Sequence, residues 1–316
     1  MAAETEIEWM KLTAEELNAR AAEGALVIVP VASLEQHGPH LATGVDIVCG
    51  TGVAHAVARR LMAMGRPVVV TPCVWTGLAE HHVAFGGTVT LDFAAFSAVL
   101  RGVVRSAMRA GFKRVMLLNG HGGNAEAVAV ALRWGWIDSQ KGRLDEHDYL
   151  QRFTPRRARS RWSKINRDTA IRLIDAGQMM PSGAREVVAV AGGECQADSG
   201  LAVAAGTSCH LAGDAFAPIL DRQSTVLHAC EAETSMMMVL MPEALRADRL
   251  PEAHGPHSTR PEGQPAAMIR RRSFRDITPS GVVGDARAAS AAKGEALLDA
   301  AAERIADELA NASLWA

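Results

Sequence analysis

Apolar and polar positions alternate in blocks along the first 134 residues. Thr13-Ala14-Glu15-Glu16 has the spacing of a capping box and predicts a helix over 13–24. The unbroken apolar run 25–32 predicts a buried strand. By the same reading, 46–64 is a helix, 67–72 a strand, 91–110 a helix, 113–118 a strand and 125–134 a helix. Short continuous apolar strands between amphipathic helices predict a mainly parallel central sheet covered on both faces, an α/β fold in three α/β/α layers. The rhythm breaks over about 139–180, which is charged and irregular. Further on, 185–191 is a candidate strand, 228–240 a Met-rich helix, 241–280 mostly loop and 288–310 a helix. No internal repeat is visible. We expect one domain over 1–316 with an inserted segment at about 139–180.

Bulk composition narrows the function classes. Of 316 residues, 48% are hydrophobic, ample for a core, and a net charge of -2 gives no field for nucleic acid or an anionic membrane. Aromatic residues are scarce, so a base-stacking surface is not expected either. Five cysteines without a CxxC pair suit a reduced, cytoplasmic protein. The run 25–32 is far too short to span a bilayer, which needs about 20 residues.

Two polar turns stand at strand ends, where ligands bind in open α/β sheets. Asn119-Gly120-His121-Gly122-Gly123-Asn124 follows the strand 113–118, and Glu35-Gln36-His37-Gly38-Pro39-His40, with Asp46 shortly after, follows the strand 25–32. Each turn alone is compatible with an ordinary loop. Together they bring Glu, His, Asp and His to one sheet edge, a donor set suited to Zn, Mn or Fe. Glu35 and His37 share a face if extended. Asp46 has two carboxylate oxygens and can bridge two metals. The competing reading is dinucleotide binding, because Gly120 to Ala125 fits G-x-G-x-x-A after a strand. No strand ending in an acidic residue follows at the required distance, and that reading leaves Glu35, His37 and Asp46 unexplained.

The motif order resembles the creatininase (creatinine amidohydrolase) family. The resemblance rests on Glu35 to Leu41 with Asp46, the segment from Gly77 to Thr90, Asn119 to Asn124, His228-Ala229-Cys230-Glu231-Ala232-Glu233-Thr234-Ser235, and Pro279 to Asp285. It implies a two-metal centre, hydrolysis of a non-peptide, often cyclic, C–N amide bond of a small molecule, and a homo-oligomer, a hexamer. By position it implies that Glu35 and His121 hold one metal and His37 the other, with Asp46 bridging. Family members with Glu at the place of Gly123 use it as a ligand, so here the second metal needs another carboxylate. Glu233 is our choice, since Glu231 would point elsewhere on a helix. His228 matches a histidine implicated as proton donor, and His82, Gly122 and Gly123 are expected at the substrate. Ala79 stands where the family has Ser, Gly86 where it has Pro, and Cys230 where it has Gly. Loss of that serine hydroxyl and of the carboxylate at the place of Gly123 argues against creatinine itself as the substrate. The implied mechanism is attack by a metal-bridging hydroxide on the amide carbonyl, with His228 protonating the leaving nitrogen. A hydrolase or lyase acting on a ring C–C or C–O bond with the same metals is the alternative.

The basic segment 156–164 reads either as a solvated or subunit-contact face or as a lid carrying Trp162 over the pocket. If it is a lid, Trp162→Ala raises KM and leaves the metal content intact. Steady-state kinetics with metal analysis would check this, and unchanged kinetics would remove the lid.

Overall fold

The computed structural model describes residues 5–130, 188–190, 201–259 and 273–315, with only the backbone at 188–190. The strands β1 (Leu26–Val31), β2 (Val68–Val70), β3 (Arg114–Asn119), β4 (Val188–Val190) and β5 (Ala202–Thr207) form one sheet in the order β2-β1-β3-β5-β4. All pairs are parallel except β4 with β5, which is antiparallel at the edge. Among the described residues the layer-forming helices are α1 (Ala14–Ala22), α2 (Val45–Ala63), α3 (Phe93–Arg109), α4 (Glu231–Leu240) and α5 (Ala291–Ala310).

Successive strand side chains point to opposite faces, and both faces are covered. Leu26, Ile28, Val68, Val70, Met116 and Leu118 pack with apolar residues of α2, α4 and α5. Val27, Val29, Val31, Val69, Val115 and Leu117 pack on the other side with residues of α1 and α3. The expected three-layer α/β/α architecture is therefore present. Two-sided burial is why these strands read as continuous apolar runs rather than alternating ones. No helix among the described residues is long and apolar enough to cross a membrane.

Several boundaries move for identifiable reasons. Thr13 caps α1 through the expected capping box. α3 starts after Asp92, whose side chain accepts a hydrogen bond from the Ala95 N–H at 2.7 Å. α5 starts after Ser290, which caps the Lys293 N–H. The expected helix 228–240 begins only at Glu231. His228 instead exchanges two main-chain hydrogen bonds with Val283, at 3.1 and 2.9 Å, and Ala229 turns the chain with a left-handed φ of +52°. β5 has no counterpart in the sequence reading, because its alanine-rich run gives no periodicity that separates strand from helix. The helix expected over 125–134 is present over 125–130. Its remainder and the segment 139–180, with Trp162, lie outside the described residues.

Val31 of β1, Asn119 of β3 and Thr207 of β5 lie in register at the carboxyl edge of the sheet. The segments carrying Glu35, His37 and His121 leave the sheet from that edge, so its register sets their starting points. α4 and α5 are also in close contact behind it. A Cβ added at Gly294 would stand 2.1 Å from the Ser235 carbonyl oxygen. Gly294→Ala gains about 1 kcal/mol of intrinsic helix propensity, but the clash should dominate and destabilise the fold by about 1–3 kcal/mol. A lowered urea midpoint is expected; a raised one would show that the helices separate freely.

Candidate metal centre

Glu35 and His37 lie in the chain that follows β1, Asp46 in the first turn of α2, His121 in the turn after β3 and Glu233 in the first turn of α4. They meet at one point. Ligand atoms of Glu35, Asp46 and His121 all lie within 4.8 Å of one another, and so do those of His37, Asp46 and Glu233. Asp46 belongs to both triads. Its Oδ1 is 3.3 Å from His37 Nε2 and its Oδ2 is 3.0 Å from His121 Nδ1. Glu35 Oε2 is 3.2 Å from His121 Nδ1, and Glu233 Oε2 is 3.9 Å from His37 Nε2.

The imidazoles are oriented from behind. His121 Nε2 lies 3.1 Å from the Leu78 carbonyl, to which it donates, so Nδ1 faces the carboxylates. His37 Nδ1 lies 3.2 Å from the Glu35 carbonyl, which directs Nε2 inward. Asn119 braces the His121 turn from both sides: its Nδ2 donates to the His121 carbonyl at 2.6 Å, and its Oδ1 accepts the His121 N–H at 3.2 Å. Asn124 ties the same turn to its neighbours, accepting the Leu78 N–H at 2.8 Å and donating to the Ala32 carbonyl at 3.0 Å.

Both oxygens of Glu35, Nε2 of His37 and Oδ2 of Asp46 are buried without a well-formed hydrogen bond among the described residues, facing mainly one another and the neighbouring imidazoles. Buried polar atoms are normally satisfied. Carboxylate and imidazole donors converging in this way fit two divalent cations sharing Asp46. Charge balance points the same way. Burial pushes Glu233 up to about 7. Burial opposes a charge on His37, yet Asp46, Glu233 and Glu35 hold it up at about 9. Burial likewise opposes a charge on Asp46, but His37 and His121 hold its carboxyl well below the usual carboxylate range.

His228 stands beside the triads, with Nδ1 3.6 Å from Glu35 Oε1 and its ring 4.4 Å from that of His37. Burial and the neighbouring His37 keep it well below the ordinary imidazole range, so it is neutral at pH 7. Burial pushes the Cys230 thiol up to about 12, which removes it as a thiolate nucleophile. Glu231 points away, accepting the N–H groups of Asp221 and Arg222 and pairing with Lys293.

The expected substrate contacts His82, Gly122 and Gly123 lie in different surroundings. His82 is 1% exposed, with Nδ1 against the Gln36 amide and Nε2 3.3 Å from Glu35 Oε1. At Gly123 a Cβ would stand 2.4 Å from His121 Nε2 and 2.6 Å from the Leu78 carbonyl oxygen. Glycine there lets the backbone pass close to the His121–Leu78 hydrogen bond, and a side chain has no room. Gly122 faces open space. Sequence reasoning gave no role to Gln36, Asn119, Asn124 or Phe274. The first three lie inside the quoted motifs. Phe274, whose ring centroid is 4.4 Å from that of His82, is signalled by no motif.

The profile of a family described as "Creatininase: Creatinine amidohydrolase" matches residues 10–309. A mycofactocin precursor peptide peptidase of Mycolicibacterium smegmatis is 39% identical over 131 residues, 39% of this chain and 53% of that protein. A creatinine amidohydrolase of Pseudomonas putida is 35% identical over 133 residues, 39% of this chain and 49% of that protein. The chain thus spans about half the length of these curated relatives. Two solved creatininases, one named as a manganese form and one as a zinc–zinc type, share the fold. Both have a TM-score of 0.64 and 21% identity, covering 96% and 97% of this chain and 98% of each of theirs.

The folded His37 value of about 9 lies above its ordinary 6.5. Without metal, the stability His37 contributes is therefore complete below pH 6.5 and is lost as the pH rises through about 9. Zinc binding requires neutral His37 and has the opposite sign, tightening over the same interval. Melting with and without zinc between pH 6 and 10 should show a Tm gap that widens with pH. A constant gap would mean that zinc displaces no proton there.

Proposed function

The chain belongs to the creatininase family, and on that premise we propose that it is a metal-dependent amidohydrolase cleaving the C–N bond of a small, often cyclic, non-peptide amide. The observation that carries the reading is the pair of buried triads sharing Asp46, with buried donor atoms turned toward each other. Glu35, Asp46 and His121 would hold one ion, and His37, Asp46 and Glu233 the other. Manganese and zinc are the first candidates, because similar structures are named for them. Two such ions supply an activated water and charge stabilisation at a carbonyl oxygen.

The chain's own contribution is proton handling and enclosure. Neutral His228 turns Nδ1 toward both triads, so it can take a proton at that atom and return it to the leaving nitrogen. Phe274 lies edge-on to the His82 and His228 rings, at 4.4 and 5.3 Å between centroids, and packs against both. A dinucleotide has little support, because His121 faces two carboxylates that repel a pyrophosphate. A second reading, hydrolysis of a peptide amide, is favoured by the mycofactocin precursor peptidase relative.

The test is metal analysis after loading with manganese or zinc, followed by a screen of lactams, formamides and short peptides. We expect about two ions per chain, fewer in Glu233→Ala, and turnover abolished by chelation. His228→Ala should lower kcat by about 10²–10⁴ at unchanged metal content. Turnover that survives complete chelation would refute the reading, and cleavage of peptides alone would select the second one.

A further inference from the structure

Gln36 lies between two of the proposed ligands, is 7% exposed, and has no part in the chemistry above. Its amide meets four groups. Oε1 accepts the Gly38 N–H at 2.9 Å, which fixes which end of the amide is oxygen. Nε2 lies 2.9 Å from His82 Nδ1, 2.9 Å from His228 Nε2 and 3.2 Å from the Gly281 carbonyl. The Gln36 main-chain carbonyl lies 3.0 Å from His228 Nε2. Gly281 leaves the necessary space, since a Cβ there would stand 2.1 Å from Gln36 Oε1.

An amide nitrogen carries two hydrogens and has no acceptor capacity. The Gly281 carbonyl can only accept, so it takes one. His82 Nδ1 takes the other, which makes that atom bare and places the ring proton on Nε2, facing Glu35 Oε1 at 3.3 Å. His228 Nε2 then donates to the Gln36 carbonyl and leaves Nδ1 bare on the side of the triads. This assignment gives each of the two acceptors a hydrogen of the amide and His228 a carbonyl to donate to; the 2.9 Å approach of Gln36 Nε2 to His228 Nε2 is then a contact between two donors and not a hydrogen bond.

We propose that Gln36 is a positioning residue that sets two histidine tautomers, so that His82 turns an N–H toward Glu35 and His228 turns an unprotonated Nδ1 toward the centre. The side-chain amide fixes the first and the main-chain carbonyl the second. The opposite tautomer of His82 would put a ring lone pair against a buried carboxylate oxygen. The opposite tautomer of His228 would leave no vacant nitrogen to receive a proton from that side. The proposal deepens the metal-hydrolase reading and rests on it for the meaning of the Glu35 contact.

The test is nitrogen-15 NMR of the full chain labelled at histidine, at pH 8, without metal and with zinc. Two-bond couplings identify the tautomers, and His82→Gln and His228→Gln spectra assign the signals. We expect both rings in the Nε2–H form. In Gln36→Met, His82 should populate both tautomers, and zinc affinity measured by chelator competition should fall about 10–100-fold. An Nδ1–H form of either ring in the unsubstituted protein overturns the proposal, as does a Gln36→Met spectrum and zinc affinity that do not change. If Gln36→Met fails to fold, the unsubstituted spectrum alone decides. If zinc does not bind at all, the metal reading falls while the metal-free spectrum still judges the tautomers.

Discussion

Three carboxylates and two imidazoles share a space from which water is largely excluded, and that crowding is the constraint on which the structure turns. Glu35 and Asp46 are buried, and both can be ionised only if positive charge is supplied nearby. The raised value of His37 and the lowered value of Asp46 are one statement: protons gather on the imidazoles because the carboxylates require them. Divalent cations in the same place would do that work with more charge and less volume. They would also satisfy oxygen and nitrogen atoms that lack a well-formed hydrogen bond among the described residues.

The surroundings are arranged so that the donors are aimed before any ion arrives. Main-chain carbonyls of Leu78 and Glu35 fix the inward nitrogens of His121 and His37. Asn119 and Asn124 hold the His121 turn against the ends of β1 and β3 and the 77–90 segment. These contacts start from the sheet edge where β1, β3 and β5 end in register. The apolar layers on both faces of the sheet therefore set the geometry of the polar centre. Outer contacts of this kind fix the tautomer and orientation of histidine ligands in metal sites.

Much of this was legible in the sequence. The strands β1 to β3 and the helices α1 to α3 follow from blockwise hydrophobicity and capping residues. Glu35, His37, Asp46 and His121 follow from polar turns placed after buried strands. The rest depends on interactions that a local pattern does not carry. β5 is alanine-rich and becomes a strand by pairing with β3. α4 starts later than the hydrophobic pattern predicts because Ala229 adopts a left-handed conformation that alanine does not advertise. The partners of His82 are not signalled locally, since a histidine in a loop gives no sign that its two nitrogens will meet Gln36 and Glu35. The crowding at Gly123 was hidden for the same reason: a glycine marks permission for close approach but does not say to what.

Glu233 brings a carboxylate to the centre from a different element than the turn that carries Gly123. A carboxylate on the 119–124 turn would be held from the sheet edge, whereas Glu233 stands on α4. The first turn of α4 is also anchored by Glu231, which pairs with Lys293 of α5 and accepts main-chain hydrogens from Asp221 and Arg222. α5 in turn packs on α4 so closely that Gly294 has no space for a methyl group beside Ser235. The third carboxylate thus reaches the centre through a helix pair on one face of the sheet, while His121 reaches it from the sheet edge. A shift between these layers would change the distance between the two triads, though Asp46, shared by both, opposes it. The contacts of Asp46 with both His37 and His121 then have a mechanical meaning as well as an electrostatic one: Asp46 joins the part of the site borne by the sheet to the part borne by α4.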